Sequence, residues 1–340
     1  MLLTVLVLLV IVGGTLAGVA VLGGRLLSNV EKIADPFDGL TNRPTAAVPT
    51  AAAEGDGAAP ARAAMNILVL GSDSRISAGD PAQWTAGAQR TDAIMLVHLP
   101  ADGSSAYVMS FPRDSWVDVP GYGEAKINAA YSYGGPTLLI QTFENLTHVR
   151  IDHFAIADFA SFTAITDALG GVPITLADDL YSRKGDLMLT AGNQVLTGEQ
   201  ALVWVRERKN LPRGDFDRVQ RQQAWMRAIL TRVQAQGTLN NPVMTVRLLD
   251  TVSRSVSVDD GVTLGVIQDM VGRVKGLGSS DISFFTVPIT GTGRSDDGQS
   301  IVLLDTVPFD ALMAAVASDA VGPYLDEHSA DVDVLPDVAP

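Results

Sequence analysis

Met65-Asn-Ile-Leu-Val-Leu-Gly-Ser-Asp-Ser-Arg75 is a short apolar run closed by Gly71 and followed at once by an acid and a base. A run of that length bounded by Gly reads as a buried strand, and charges just past it need a reason to be there. Two more strands follow. Asp92-Ala-Ile-Met-Leu-Val-His-Leu99 is almost continuously apolar and is expected to be covered on both faces; Ser105-Ala-Tyr-Val-Met-Ser-Phe111 is the next. Further on, Phe159, Phe162, Ile165 and Leu169 recur at roughly helical spacing before Gly170-Gly171, which predicts a helix with a glycine stop, and Val172 to Leu176 reads as a strand. Thr197-Gly-Glu-Gln200 has the capping-box pattern ahead of a short helix. A longer helix is predicted from Phe216 to about Gln236, with Asp215 as its N-cap and Gly237 as its stop. The segments 241–275 and 282–289 read as closing helices and a strand, and Gly134-Gly135 reads as a turn. Strands alternating with helices predict a layered α/β domain.

Outside this core the chain changes character. Residues 1–24 carry no charge until Arg25, and 24 helical residues reach ~36 Å against a hydrocarbon core of ~30 Å, so the run is expected to be a transmembrane anchor. Residues 25–64 read as a juxtamembrane segment and a Pro/Ala-rich linker, with the globular part starting at Met65. The globular domain is assigned to 65–310. Residues 311–340 are expected to hold the end of a helix and an acidic, solvated tail. The 340 residues contain 24 Lys+Arg and 38 Asp+Glu, a formal charge of −14, which argues against nucleic acid as a partner. Zero cysteines exclude thiol nucleophiles, thiolate metal sites and disulfides. No P-loop or nucleophile elbow is present. His98, within an apolar strand, reads as a core or rim residue, and the five-residue separation of His148 and His153 is not a helical metal spacing.

Four places carry charge where strands would not otherwise need it: Gly71-Ser-Asp-Ser-Arg75, Arg90-Thr-Asp92, Phe111-Pro-Arg-Asp114, and Val205-Arg-Glu-Arg-Lys-Asn210 with Gly214-Asp-Phe-Asp-Arg218 and Gln222. Strand ends are where α/β domains gather their sites, because the loops there converge on a crevice. Asp73 and Asp92 are the types that hold a hard cation such as Mg²⁺, which often takes one or two carboxylates and completes its shell with water and phosphate. Each could equally serve a turn or a surface ion pair. Between 199 and 232 eight Arg and Lys face four Asp and Glu, and Arg218 and Gln222 at i and i+4 share one helix face. Guanidinium forks grip phosphate bidentately, so an arginine-rich cluster suits a pyrophosphate; the other reading is a salt-bridged, solvated helix.

Taken together, Asn66 to Arg75, Arg90 to Leu96, Ser110-Phe-Pro-Arg-Asp114, Lys126-Ile-Asn-Ala-Ala-Tyr131 and Val205 to Arg208 through Asp215-Phe-Asp-Arg218 resemble the LytR-CpsA-Psr family over roughly residues 65 to 310. The resemblance implies a three-layer α/β/α sandwich with a mixed central sheet, a single extracytoplasmic domain held by a single-pass helix in the cell membrane. It implies a phosphotransferase that moves an anionic glycopolymer (teichoic acid, capsule or arabinogalactan) from a polyprenyl pyrophosphate carrier to a peptidoglycan hydroxyl. Its partners would be that lipid-linked polymer, peptidoglycan and the cytoplasmic membrane. Carried over residue by residue, Asp73 and Asp92 would hold Mg²⁺ or Mn²⁺. Arg75, Arg90, Arg113, Arg206, Arg208, Arg218 and Gln222 would bind the pyrophosphate. Asp92, Arg113 and Asp215 would be catalytic, with Asp92, Asp114 and Asp215 as candidate general bases. A polyprenyl-pyrophosphate phosphatase and a non-catalytic envelope regulator or binding module are the alternatives.

Overall fold

The computed structural model describes residues 29–46, 62–72, 91–182, 184–207, 211–235, 248, 250–251, 253–254, 256–274 and 276–340. The expected anchor at 1–24 and the site candidates Asp73, Arg75, Arg90 and Arg208 lie outside the described residues. Among the described residues no helix is long and apolar enough to cross a membrane.

The three apolar runs near 65–71, 92–99 and 105–111 become strands of one eight-stranded mixed sheet. In chain order its strands are β1 (Glu31–Ile33), β2 (Met65–Ser72), β3 (Thr91–Leu99), β4 (Ala106–Phe111), β7 (His153–Asp158), β12 (Val256–Asp259), β13 (Ile282–Thr286) and β16 (Asp333–Val334). Their spatial order is β1-β12-β7-β2-β3-β4-β13-β16. β2 runs parallel to β7 and β4 parallel to β13, whereas β3 is antiparallel to both β2 and β4. The ends of β2, β4, β7 and β13 and the start of β3 therefore share one sheet edge.

Side-chain alternation on β4 assigns the layers. Phe111 packs against Phe143 of helix α1 (Ile127–Thr147) and Phe309 of α6 (Thr306–Ala317), with ring centroids 4.7 and 6.0 Å away. Ser110, pointing the other way, accepts a 2.7 Å hydrogen bond from Gln223 of α4 (Asp215–Ala235). On that second face Trp225 of α4 packs on Phe162 and donates to Thr166, both in α2 (Phe159–Ala168). Helices on both faces of a mixed sheet make the α/β/α arrangement. The short helix α3 (Gly198–Arg206) begins at the expected capping box: Thr197 Oγ1 accepts from the Gln200 N–H and the Gln200 amide oxygen accepts from the Thr197 N–H. The Gly134-Gly135 turn falls within α1, where both residues leave helical geometry and Pro136 restarts the helix. The strand at Val172–Leu176 (β8) stands apart from the main sheet, paired with β11 (Gly192–Leu196). Between them lies the hairpin β9 (Leu180–Tyr181) and β10 (Leu187–Leu189). A second small hairpin, β5 (Trp116–Val119) and β6 (Gly123–Lys126), precedes α1, and β14 (Ile289–Arg294) pairs with β15 (Ser300–Leu304). Helices α5 (Leu264–Val274) and α7 (Val321–His328) complete the list.

Three expectations need correction. The folded region starts before Met65, because β1 pairs with β12 and Arg43 forks onto the buried Glu144 carboxylate at 2.7–3.2 Å. The stretch 241–275 contributes a strand, β12, between β1 and β7, as well as helix α5. The C-terminal tail is docked rather than solvated: Val332, Leu335 and Ala339 are buried, β16 pairs with β13, and Asp333 meets Arg213 and Gln220. Asp333 ion-pairs with Arg213 just before α4, and Arg227 of α4 takes the carbonyls of Pro336 and Asp337.

Far from the site edge, buried His98 joins Asn66 Oδ1 at 2.8 Å and Asp319 Oδ1 at 3.0 Å. Burial opposes ionisation of Asp319, but hydrogen bonds from His98 and the Ala101 N–H, with the charges of His98 and Arg273, outweigh it and hold its carboxyl below 3.8. A depressed folded pKa adds stability above the unfolded value, and that stability is lost as pH falls through the folded one. Asp319→Asn, which tolerates the left-handed φ of 57°, should lower stability at pH 7, and the difference from wild type should shrink below about pH 3.8 in urea titrations. A Cβ at Gly198 would sit 2.5 Å from Thr163 Cα, so Gly198→Ala should force α3 off α2 and cost about 1–3 kcal/mol by chemical denaturation.

Candidate functional site

The shared sheet edge gathers the charges. β4 ends at Phe111, and a turn held by Ser115, whose N–H and Oγ both bond the Pro112 carbonyl at 3.0 and 2.7 Å, presents Arg113 and Asp114 beyond it. The start of α1 is clipped beneath this turn, with Ile127 N–H donating to Ser115 O and Asn128 N–H to Arg113 O. That places Lys126 at the rim, its Nζ 3.2 Å from Asp114 Oδ1. From the opposite layer α4 begins at Asp215, following Gly214 at φ +60°, and the Gln223–Ser110 bond pins its third turn to the end of β4.

Asp215 is where the two layers meet. One oxygen lies 2.7 Å from an Arg218 terminal nitrogen and the other 3.8 Å from Arg113 Nε, while Asp114 Oδ2 lies 4.0 Å from the same Arg113 Nε. Its carboxylate thus ion-pairs with two guanidinium groups rather than serving chiefly as the helix cap the sequence suggested. Gln222, one turn after Arg218, is buried, and its amide oxygen has no hydrogen-bond partner among the described residues. A buried acceptor left unsatisfied calls for a ligand or water at that point. Thr91 Oγ1, at the start of β3, is buried in the same condition. Of the expected site residues, the structure therefore brings Arg113, Asp215, Arg218 and Gln222 together, and Asp114 joins them. Asp92 follows Thr91 on β3 at this edge, and Arg206 is the exposed last residue of α3.

The rest of the basic run does other work. Arg213 pairs with Asp217 and Asp333 at 2.7 and 2.9 Å. Arg221 donates to the Trp204 carbonyl and to Pro340; Arg227 binds the carbonyls of Pro336 and Asp337; Arg232 reaches Leu169 O. Burial lowers the pKa of both Arg221 and Arg227. Helix α4 thus has one face toward the site and another that holds the tail. Lys126 is a rim residue to which the sequence reading gave no role, although it quoted the Lys126-Ile-Asn motif; its place directly before a helix at the end of a hairpin was the available signal.

Among the described residues no group of three or more His, Asp or Glu could hold a metal. Ser72 stands opposite Thr91 across a register shift, which places Asp92 one residue inside β3; Asp73 lies outside the described residues.

The LytR_cpsA_psr family profile matches residues 41–316. The chain is 33% identical over 315 residues to "Cell wall biosynthesis protein LcpA" of Corynebacterium glutamicum, covering 81% of this chain and 60% of that protein. It is 34% identical over 309 residues to "Probable cell wall biosynthesis protein LcpB" of the same organism, covering 89% and 70%. The aligned part thus spans little more than half of LcpA. Among solved structures, B. subtilis TagV superposes with a TM-score of 0.61 at 22% identity, covering 76% of this chain and 97% of that one. With the profile spanning most of the chain and two relatives above 30% identity, this chain belongs to the LytR_cpsA_psr family.

Proposed function

We propose that the chain is a phosphotransferase that moves an anionic cell-wall glycopolymer from a polyprenyl pyrophosphate carrier to a peptidoglycan hydroxyl, forming a phosphodiester. The observation that carries this reading is the meeting of Arg113, Arg218 and Lys126 at one strand edge, threaded by Asp114 and Asp215. Guanidinium and ammonium groups set at fixed positions neutralise charge on phosphate oxygens without any covalent intermediate on the protein. That suits a chain with zero cysteines and four histidines. The relatives named as cell wall biosynthesis proteins, and a solved structure of TagT bound to LI-WTA, support the same class of substrate.

In this reading the acceptor oxygen forms a bond to the polymer-side phosphorus, the bond from that phosphorus to the bridging oxygen breaks, and polyprenyl monophosphate leaves with the electron pair. The hydroxyl proton passes to a carboxylate. Asp215 and Asp114 ion-pair with Arg113, Arg218 and Lys126 and orient them, and Asp92, Asp114 and Asp215 are the candidate acceptors. Gln222 and Arg218, stacked one turn apart, would hold the leaving phosphate, and Arg206, Arg208, Arg75 and Arg90 are the further pyrophosphate-binding residues the family resemblance implies. Asp73 and Asp92 would hold Mg²⁺, or Mn²⁺ in its place. A bound divalent cation would supply Lewis-acid neutralisation of the pyrophosphate oxygens.

Arg218→Lys keeps the charge but loses the fork, and should lower turnover of a short-chain polyprenyl pyrophosphate-linked glycan by about 10²-fold, with Lys126→Ala weakening binding. The measurement is release of polyprenyl monophosphate by the full chain in detergent, with the second product identified by mass. Polymer joined to the acceptor through one phosphate supports the transferase. Polymer phosphate released to water supports the phosphatase, and tight binding without turnover supports the regulatory reading, in line with the name "Regulatory protein MsrR" borne by Staphylococcus aureus relatives 34% identical over 232 residues. Chelation of divalent cations should abolish turnover, and activity that persists in chelator would remove the metal from the proposal.

A further inference from the structure

The direction in which the chain enters the sheet fixes which edge faces the sequence that precedes it. β1 runs parallel to β12, β12 antiparallel to β7, and β7 parallel to β2, so β1 starts at the edge where β2, β4 and β7 end. The register makes this quantitative: Glu31 stands opposite Ser257, Ser257 opposite Ile156, and Ile156 opposite Leu70, two residues short of the end of β2. The charge of Glu31, after burial, contributes to raising the pKa of the Tyr131 phenol in the first turns of α1, which starts at the site rim. Five strand spacings separate β1 from β4, or about 24 Å sideways along that edge. The uncharged run ends at Gly24, and the five steps from there to Asn29 span at most about 18 Å.

A second feature projects from the same end. α4 runs from Asp215 at the site edge to the opposite edge, where Arg232 and Gln234 bond the carbonyls of Leu169 and Leu277. β8 leaves that far edge at Val172 and returns, and Asp178, just past its end, is near enough to act electrostatically on Arg221 in the second turn of α4. The β9–β10 hairpin hangs beyond it and exposes Tyr181, Leu187 and Met188 by 47, 52 and 44%. Exposed apolar side chains gathered on the strands behind a hairpin's turn mark an interaction surface.

We propose that the sheet edge bearing the site is the face this domain turns to the bilayer, with the β9–β10 hairpin entering the lipid surface through Leu187 and Met188. The proposal rests on residues 1–24 being embedded, and it deepens the lipid-linked substrate reading: the phosphate-binding cluster would lie at headgroup depth, where a polyprenyl pyrophosphate presents its charge. A short connection cannot carry the domain far from the membrane, and the edge at which it enters is the one that must lie nearest. The hairpin carries Asp179 and Asp186 against Arg183 and Lys184, so its charges balance, insertion is apolar in origin, and it should differ little between zwitterionic and anionic surfaces.

The absence of cysteine lets one introduced thiol report from one place. The full chain reconstituted in phosphatidylcholine vesicles would be labelled with an environment-sensitive fluorophore at Leu187→Cys, at Met188→Cys, or at Ser280→Cys, an exposed position at the far edge. Quenching by spin-labelled lipid at 187 and 188 but not at 280 is the expected result. Quenching at 280 alone, or at none of the three, overturns the proposal. The double variant Leu187→Asp/Met188→Asp should process a water-soluble short-chain donor at the wild-type rate and a vesicle-embedded long-chain donor about tenfold more slowly. Equal rates on the embedded donor would remove the hairpin from the docking surface. Loss of turnover on both donors in the wild-type chain would sink the transferase reading alone, since the quenching pattern is read without it.

Discussion

Two guanidinium groups do not converge on one strand edge unless negative charge lies between them, and here it is the Asp215 carboxylate. Arg113 arrives from the end of β4 and Arg218 from a helix on the opposite layer; Asp215 meets both. The arrangement demands that α4 be held in register with β4, and the buried Gln223–Ser110 hydrogen bond does this two turns further along. Ser110 can face α4 only because Phe111 takes the other face of the strand, against Phe143 and Phe309. One alternation of polar and apolar along β4 therefore decides both the layering and the position of the site.

What the sequence made legible follows from the same physics. Central strands were readable because burial on both faces requires an unbroken apolar run, and β3 is buried along almost its whole length. The capping box at Thr197 was readable because its two hydrogen bonds are local. β1, β12 and β16 were not, since they are two to four residues long, mix charge with apolar residues, and take partners remote in sequence. The site divides in the same way. Arg218 and Gln222 could be placed on one face by helical spacing alone, whereas Arg213, Arg221 and Arg227 looked like members of the same cluster. Their separation from it depends on where the tail docks, a tertiary fact that composition conceals.

That separation explains how an acidic protein sustains a cationic site. Arg213 is answered by Asp217 and Asp333; Arg221 and Arg227 donate to backbone carbonyls, with the charges of Asp217, Glu207 and Asp178 acting on Arg221 and that of Asp337 on Arg227. At the rim Arg113, Arg218 and Lys126 stand against Asp114 and Asp215, three positive charges to two negative, within a chain of net charge −14. A margin of +1 among these five described side chains exerts little pull on polyanions through physiological salt, where fields fade within about 8 Å. The contacts of Arg113 Nε with Asp215 and Asp114, at 3.8 and 4.0 Å, are ion pairs longer than a hydrogen bond. Under the proposed function, selection for phosphate at this edge would come from fixed geometry at contact, within a chain of net charge −14.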